Sequence, residues 1–204
     1  TGADVTITGT ITAAQADAIA ANTNAGDLTA IVEADTAANL VAKLINTATT
    51  DILTLGVNGT TATAAHLNTL AGATGGKIKL DATEVTGDVA GLTALYVTNK
   101  ASFTALGNEN VTITGANPTA AELNTIAAAT TGKVTAILAP GTDIEAATVA
   151  LLKDVKATDV ITFKPTTAIA LNGNADINAL ISLNKILKTD FSGLAASTIA
   201  GGGN

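Results

Sequence analysis

Val111-Thr-Ile-Thr-Gly115, Pro118-Thr-Ala-Ala-Glu-Leu-Asn-Thr-Ile-Ala-Ala-Ala-Thr-Thr-Gly132 and Lys133-Val-Thr-Ala-Ile-Leu138 follow one another as strand, glycine turn, Ala-rich helix, glycine turn and strand. In the first segment Val and Ile alternate with Thr, the period-two pattern of a strand that buries one face. Working outward, the same order recurs. Val5-Thr-Ile-Thr-Gly9 leads into Thr12-Ala-Ala-Gln-Ala-Asp-Ala-Ile19 and Gly26-Asp-Leu-Thr-Ala-Ile31, and Val57-Asn-Gly59 leads into Thr63-Ala-Ala-His-Leu-Asn-Thr-Leu70 and Gly76-Lys-Ile-Lys-Leu80. Thr12 and Thr63 lie 51 residues apart, Thr63 and Thr119 lie 56 apart, and Ala121–Ile126 matches Ala175–Leu180 at a spacing of 54.

Each copy supplies its own punctuation. Val5 and Ile7 are expected to point inward and Thr6 and Thr8 outward, with Gly9 ending the strand. Thr12 is an N-cap ahead of good helix formers. Asp35-Thr-Ala-Ala-Asn-Leu-Val-Ala-Lys-Leu-Ile45 predicts a second helix, capped by Asp35 or Thr36, with Leu40, Val41, Leu44 and Ile45 as its apolar stripe. Ile52–Val57 is the next strand. Thr142–Leu152 takes the place of the Asp35 helix, and Asp159–Phe163 that of Ile52–Leu55. Over Val85–Leu95, Gly87 and Gly91 each cost about 1 kcal/mol against Ala in a helix, which predicts a short or broken helix there. Ala94–Thr98 and Phe103–Leu106 read as strand-like pieces.

Composition narrows the classes of function. The chain has 204 residues, 47% of them hydrophobic but only 2% aromatic, so Ala, Val, Ile, Leu and Thr methyls must fill thin, closely approaching layers. The formal charge is −7 and every basic residue is Lys, which is no phosphate-neutralising surface and argues against nucleic acid as a partner. Cysteine is absent, which removes disulfides, thiolate metal sites and cysteine nucleophiles. No apolar run approaches the ~20 residues of a membrane span. With neither Met nor a signal-peptide pattern, the chain reads as a processed product or an excised piece.

Fixed-period β-α units cannot bury their apolar faces alone and stack on neighbours. Parallel strands joined by a crossover helix connect right-handedly in nearly all cases. The expected fold is therefore α/β, a right-handed β-α solenoid of parallel strands and short Ala-rich helices, leucine-rich-repeat-like, with about four ~50-residue repeats. A single repeat domain would occupy 1–190, with units near 3–51, 52–106, 107–158 and 159–190. Residues 191–204 would form a docking segment or Gly-rich linker. A compact doubly wound domain is the alternative.

The Thr-Ala-Ala-x-x-x-x-Ile/Leu units, the Ala-Thr-x-Gly turns, the Val-Thr strands and Asp35-Thr-Ala-Ala-Asn-Leu40 resemble repeats of very large secreted cyanobacterial and proteobacterial proteins of adhesin-like, S-layer-like or type I secreted character. The similarity spans most of residues 3–163. It implies a secreted, cell-surface location. Calcium does not follow from the resemblance, because the glycine-aspartate nonapeptides that often accompany such repeats are missing here.

Candidate chemistry is sparse. His66, the only histidine, stands where other copies carry Gln15, Glu122 and Asp176, which marks a solvated helix position. Ser102, Ser182, Ser192 and Ser197 sit in no nucleophile elbow. Most acidic residues read as caps and solvation. Asp81, Glu84 and Asp88 are the candidate ligands for a Ca²⁺ ion, should stacked turns bring them together. No carboxylate pair of glycosidase type is singled out. The recurring glycines lack a Walker or dinucleotide fingerprint. Asn58-Gly-Thr60 and Asn110-Val-Thr112 match glycosylation sequons, which a Thr-rich chain contains by chance.

The expectation is a non-enzymatic extracellular structural protein that assembles head-to-tail with copies of itself into a layer, filament or giant adhesin, with cell-surface polysaccharide as a further partner. The assembly edges are Val5, Thr6, Ile7 and Thr8 at one end and Phe191 and Leu194 at the other. The alternative is a secreted binding module for Ca²⁺, glycan or ice. Outward Thr6, Thr8, Thr112 and Thr114, with Thr54 and Thr162, carry the ice version, and aromatic poverty argues against a sugar-active enzyme.

Overall fold

A computed structural model describes residues 2–22, 25–138 and 151–163, together with 178, 181 and 188–189. The chain divides into two compact units, Thr1–Glu109 and Asn110–Asn204. The division falls close to the boundary between the second and third expected repeats.

Unit 1 is built on the parallel sheet β1-β2-β3-β5-β7, where β1 is Ala3–Ile11, β2 Ala25–Val32, β3 Ile52–Val57, β5 Ile78–Leu80 and β7 Phe103–Thr104. A second parallel pair joins β4 (Thr61–Thr63) to β6 (Glu84–Gly87). Helices α1 (Ala13–Ala20), α2 (Ala37–Lys43), α3 (Ala64–Ala73) and α4 (Val89–Thr93) follow β1, β2, β4 and β6. The register advances almost uniformly: Thr6 pairs with Thr29, Thr29 with Ile52, Leu55 with Ile78 and Thr61 with Glu84, 23 residues each time. In unit 2, β8 (Asn110–Ile113), β9 (Val134–Leu138), β10 (Val160–Phe163) and β11 (Lys188–Thr189) run parallel in that order, and α5 (Ala120–Ala129) links β8 to β9. The class is thus α/β with parallel sheets.

The threonine caps form as the sequence dictates. Thr12, Thr36, Thr63 and Thr119 all have extended backbones, and their hydroxyls accept the N3 amides of Gln15, Asn39, His66 and Glu122 at 3.2–3.3 Å. At Thr12 and Thr119 the N3 side chain also returns to the cap amide, completing a capping box. The position shared by Gln15, His66 and Glu122 is therefore a capping position, not merely a solvated one. Behind the caps, Ala13, Ala16, Leu40, Leu67, Leu70, Leu123 and Ile126 are buried against buried strand residues such as Leu28, Leu53, Leu55, Val111 and Val134. Alanine on the inner helix face keeps these layers thin.

Four expectations need correction. Strand β1 does not stop at Gly9 but continues to Ile11 through a register irregularity between Thr6 and Thr10. Of the stripe expected on α2 only Leu40 and the C-cap Leu44 are buried: Val41 is half-buried, and Ile45, beyond the helix end, is exposed because the stripe outlasts the helix. Val85 lies in β6, so the broken helix begins only at Val89, where the Asp88 side chain caps it. Ala94–Thr98 is π-helical rather than strand-like, continuing α4 with Leu95 and Tyr96 turned into the core. Phe103–Thr104 is a strand as expected. The predicted helix Thr142–Leu152, the fourth copy Ala175–Leu180, and the Phe191 and Leu194 edge lie wholly or largely outside the described residues.

Candidate functional surface

Polar side chains at the strand starts form a system that sequence reading missed. In unit 1 two successive amides of β2 are held from both sides: Asp27 N–H donates to Asp4 Oδ1 at 3.1 Å and Leu28 N–H to Asp51 Oδ1 at 2.8 Å. Unit 2 repeats the arrangement on β9, where Lys133 N–H donates to Asn110 Oδ1 at 2.9 Å and Val134 N–H to Asp159 Oδ1 at 2.8 Å. The second oxygens of the two buried carboxylates also match: Asp51 Oδ2 accepts Ala48 N–H at 2.9 Å and Asp159 Oδ2 accepts Lys156 N–H at 2.8 Å. One strand further along unit 1, the buried Thr74 hydroxyl accepts Leu53 N–H and Gly76 N–H, both at 2.8 Å. These side chains tie the end of one strand to the next.

A second set joins neighbouring helical segments. Asp17 takes both the amide N–H (2.7 Å) and the side-chain NH₂ (2.9 Å) of Asn46. Asn68 accepts from the Asn99 side chain at 2.9 Å and donates to Gly91 O at 2.8 Å. Asn124 and Asp154 exchange two bonds of 2.8 Å. Asp17, Asn68 and Asn124 each stand five residues after the threonine cap, a recurrence that the sequence carries.

Two adjacent outward rows of the sheet carry no charge. In unit 1, Thr6, Thr29 and Ile52 form one row, and Thr10, Ile31 and Thr54 the next. All six are exposed, Ile31 by 51% and Ile52 by 47%. The irregularity in β1 puts Thr10, not Thr8, in line with Ile31. Unit 2 has the row Thr112, Thr135, Val160, and Ile137 pairs with Thr162, which pairs with Lys188. Neighbours within a row lie ~4.8 Å apart, and rows ~7 Å apart. Every residue named in these rows except Lys188 is β-branched.

The candidate ligands do not converge. Asp81 pairs with Lys79 at 2.9 Å, Asp88 Oδ1 accepts Gly91 N–H at 2.7 Å as the α4 cap, and Glu84 opens β6. Among the described residues no group of three or more His, Asp or Glu is gathered as a metal ion would need. His66 is half-buried at the start of α3. Ser102 ends a short 3-10 turn. Of the assembly edge, Val5 and Ile7 are half-buried and Thr6 and Thr8 exposed, on a strand that pairs only with β2 among the described residues of unit 1.

One buried polar pair belongs to neither system. The Tyr96 hydroxyl donates to Glu109, whose carboxylate also accepts Gly107 N–H at 2.9 Å and Asn108 N–H at 3.0 Å. Burial drives the Tyr96 phenol well above its ordinary range, and the Glu109 carboxylate adds to the shift. The pair fastens the loop that carries Ala105 and Gly107 at positive φ.

No described helix is long and apolar enough to cross a membrane. Compared with known proteins, the chain matches no family model, no curated protein and no solved structure.

Proposed function

We propose that this chain is a structural material, a right-handed β-α solenoid that serves as a secreted, self-assembling segment of a cell-surface layer, filament or giant adhesin, and not an enzyme. One observation carries the reading: β1 is a nine-residue strand at the end of its sheet, pairing with β2 alone among the described residues of unit 1. The free side of such a strand offers unpaired amides and carbonyls to a further parallel strand. Within the chain, each strand already receives its neighbour in this way, at a near-constant separation. A second copy would extend the same ladder, and a contact of that head-to-tail kind does not close on itself. The polar residues support the reading, because those described above are largely spent on caps, strand-start clamps and helix bridges.

The test is assembly against concentration. Negative-stain micrographs and sizing should reveal polymers that lengthen with concentration, and Ile7→Lys, which places a charge on the edge strand, should shorten them while circular dichroism stays unchanged. A chain that remains monomeric at high concentration overturns the assembly reading.

A second reading rests on the outward rows. Methyl- and hydroxyl-bearing side chains at ~4.8 Å and ~7 Å intervals on a parallel sheet are suited to ordering water as ice does. Thermal hysteresis that is lost in Thr29→Lys would support it, and its absence in the unmodified chain removes it.

A further inference from the structure

Asn58 and Gly59 make the turn between β3 and β4. We propose that this turn is a site of spontaneous covalent modification, where water hydrolyses the Asn58 side-chain amide through a cyclic imide formed with the Gly59 nitrogen. The inference is independent of the assembly reading.

Three observations meet there. Asn58 is exposed, and its side-chain amide makes a single long bond, Nδ2 to Ala34 O at 3.3 Å. The Gly59 N–H donates to no protein acceptor among the described residues. The space around Gly59 is open as well: a Cβ built there would come no closer than 3.7 Å to any atom beyond its two chain neighbours, that atom being Thr36 Cγ2. With no side chain of its own, Gly59 leaves its nitrogen unshielded toward the preceding side chain.

The step balances without an oxidant. The Gly59 nitrogen gives its proton to solvent base and attacks Asn58 Cγ. The new N–Cγ bond forms, the Cγ–Nδ2 bond breaks, and Nδ2 leaves as ammonia with a proton from solvent. Water then opens the ring at one carbonyl or the other, giving aspartate or isoaspartate at position 58. Aspartate places a carboxylate where an NH₂ had faced Ala34 O, whereas isoaspartate carries the chain through Cγ and leaves the α-carboxylate free. Isoaspartate also adds one backbone atom to a turn fixed on both sides: Val57 pairs with Leu80 and bridges to Asp35, and Thr61 pairs with Glu84.

Other asparagines provide the comparison. The side-chain amides of Asn39, Asn46 and Asn68 donate at 2.8–2.9 Å to Asp35, Asp17 and Gly91, and Leu40, Thr47 and Thr69 shield the nitrogens that follow. The experiment is peptide mapping by mass spectrometry of the intact folded chain held in warm, mildly alkaline buffer, with isoaspartyl methyltransferase labelling as a second readout. A gain of about 1 Da should build up at Asn58 at least about tenfold faster than at Asn39, Asn46 or Asn68, because only Asn58 of these precedes a bare glycine nitrogen. Asn58→Gln should abolish it without altering the circular dichroism. The chain's other Asn-Gly, Asn172–Gly173, lies outside the described residues and falls on a separate peptide. A rate at Asn58 no higher than at Asn46, or reaction only after the chain is unfolded in denaturant, overturns the proposal.

Discussion

Asp51, directly ahead of β3, accepts the Leu28 N–H of the neighbouring strand β2 at 2.8 Å while only 6% exposed. Its other oxygen closes the turn that precedes it through Ala48 N–H. Asp159 makes the same two bonds in unit 2, to Val134 and Lys156. The same solution, used twice, marks the carboxylate as a structural clamp.

Removing that clamp leaves two amides without their charged acceptor. Asp51→Ala is therefore expected to cost about 3 kcal/mol, and Asp51→Asn, which keeps one acceptor oxygen, about half as much. Urea denaturation followed by circular dichroism measures both. A cost below that of an ordinary surface substitution would show that the bonds contribute nothing net.

Two glycines should respond in opposite directions. At Gly76 a Cβ would collide with the backbone carbonyl of Leu53, so Gly76→Ala must force apart the starts of β3 and β5 and should cost more than about 4 kcal/mol or prevent folding. Gly72 lies near the end of α3, where an added Cβ would meet nothing within 4 Å, and Gly72→Ala should stabilise by about 0.5–1 kcal/mol. Thermal melts of the two variants decide the matter.

Acid should act in part through Asp35. Its carboxylate accepts the Asn39 side-chain amide at 2.8 Å, pairs with Lys43 at 3.0 Å and accepts Thr36 N–H at 2.8 Å, which together lower its pKa from 3.8 to about 2. Because the folded value lies below the unfolded one, the stabilisation is present above about pH 4 and is lost as pH falls towards about 2. A carboxyl NMR titration should place the midpoint near 2, and Asn39→Ala should raise it. An unmoved midpoint in that variant would refute the assignment of cause.

Alkali should act through Tyr96. A phenol whose folded pKa is raised contributes stability below its unfolded value of 10.0, and that contribution is lost as pH climbs above it. Tyr96 is the only tyrosine and the chain has no Trp, so ultraviolet absorbance reports this one ring. Ionisation is expected only together with unfolding, and Glu109→Gln should let it begin at lower pH. A simple titration near 10 in the folded chain would contradict the buried pair.

The sequence by itself determined the parts that depend on neighbours a few residues away. A threonine followed by Ala-Ala and a polar N3 residue specifies a helix start wherever it occurs, and alternating Val or Ile with Thr specifies a half-buried strand. Those rules located α1, α2, α3 and α5, most strands and the parallel α/β class. Where two helix-weakening glycines and an apolar run competed, over Gly87–Thr98, local rules located the break but mistook a π-helical turn for strand. Tertiary structure alone decided what the polar residues do. Asp51 and Asp159 look like ordinary turn acids until the amides of Leu28 and Val134, 23 and 25 residues earlier, are brought to them. The partner of Asp17 likewise lies 29 residues away at Asn46. Asp81, Glu84 and Asp88 lie close in sequence, yet Asp81 is committed to Lys79 and Asp88 to the start of α4. The physical reason is common to all of these: a hydrogen bond needs atoms within about 3 Å, and only the pairing of parallel strands sets which distant residues come that near.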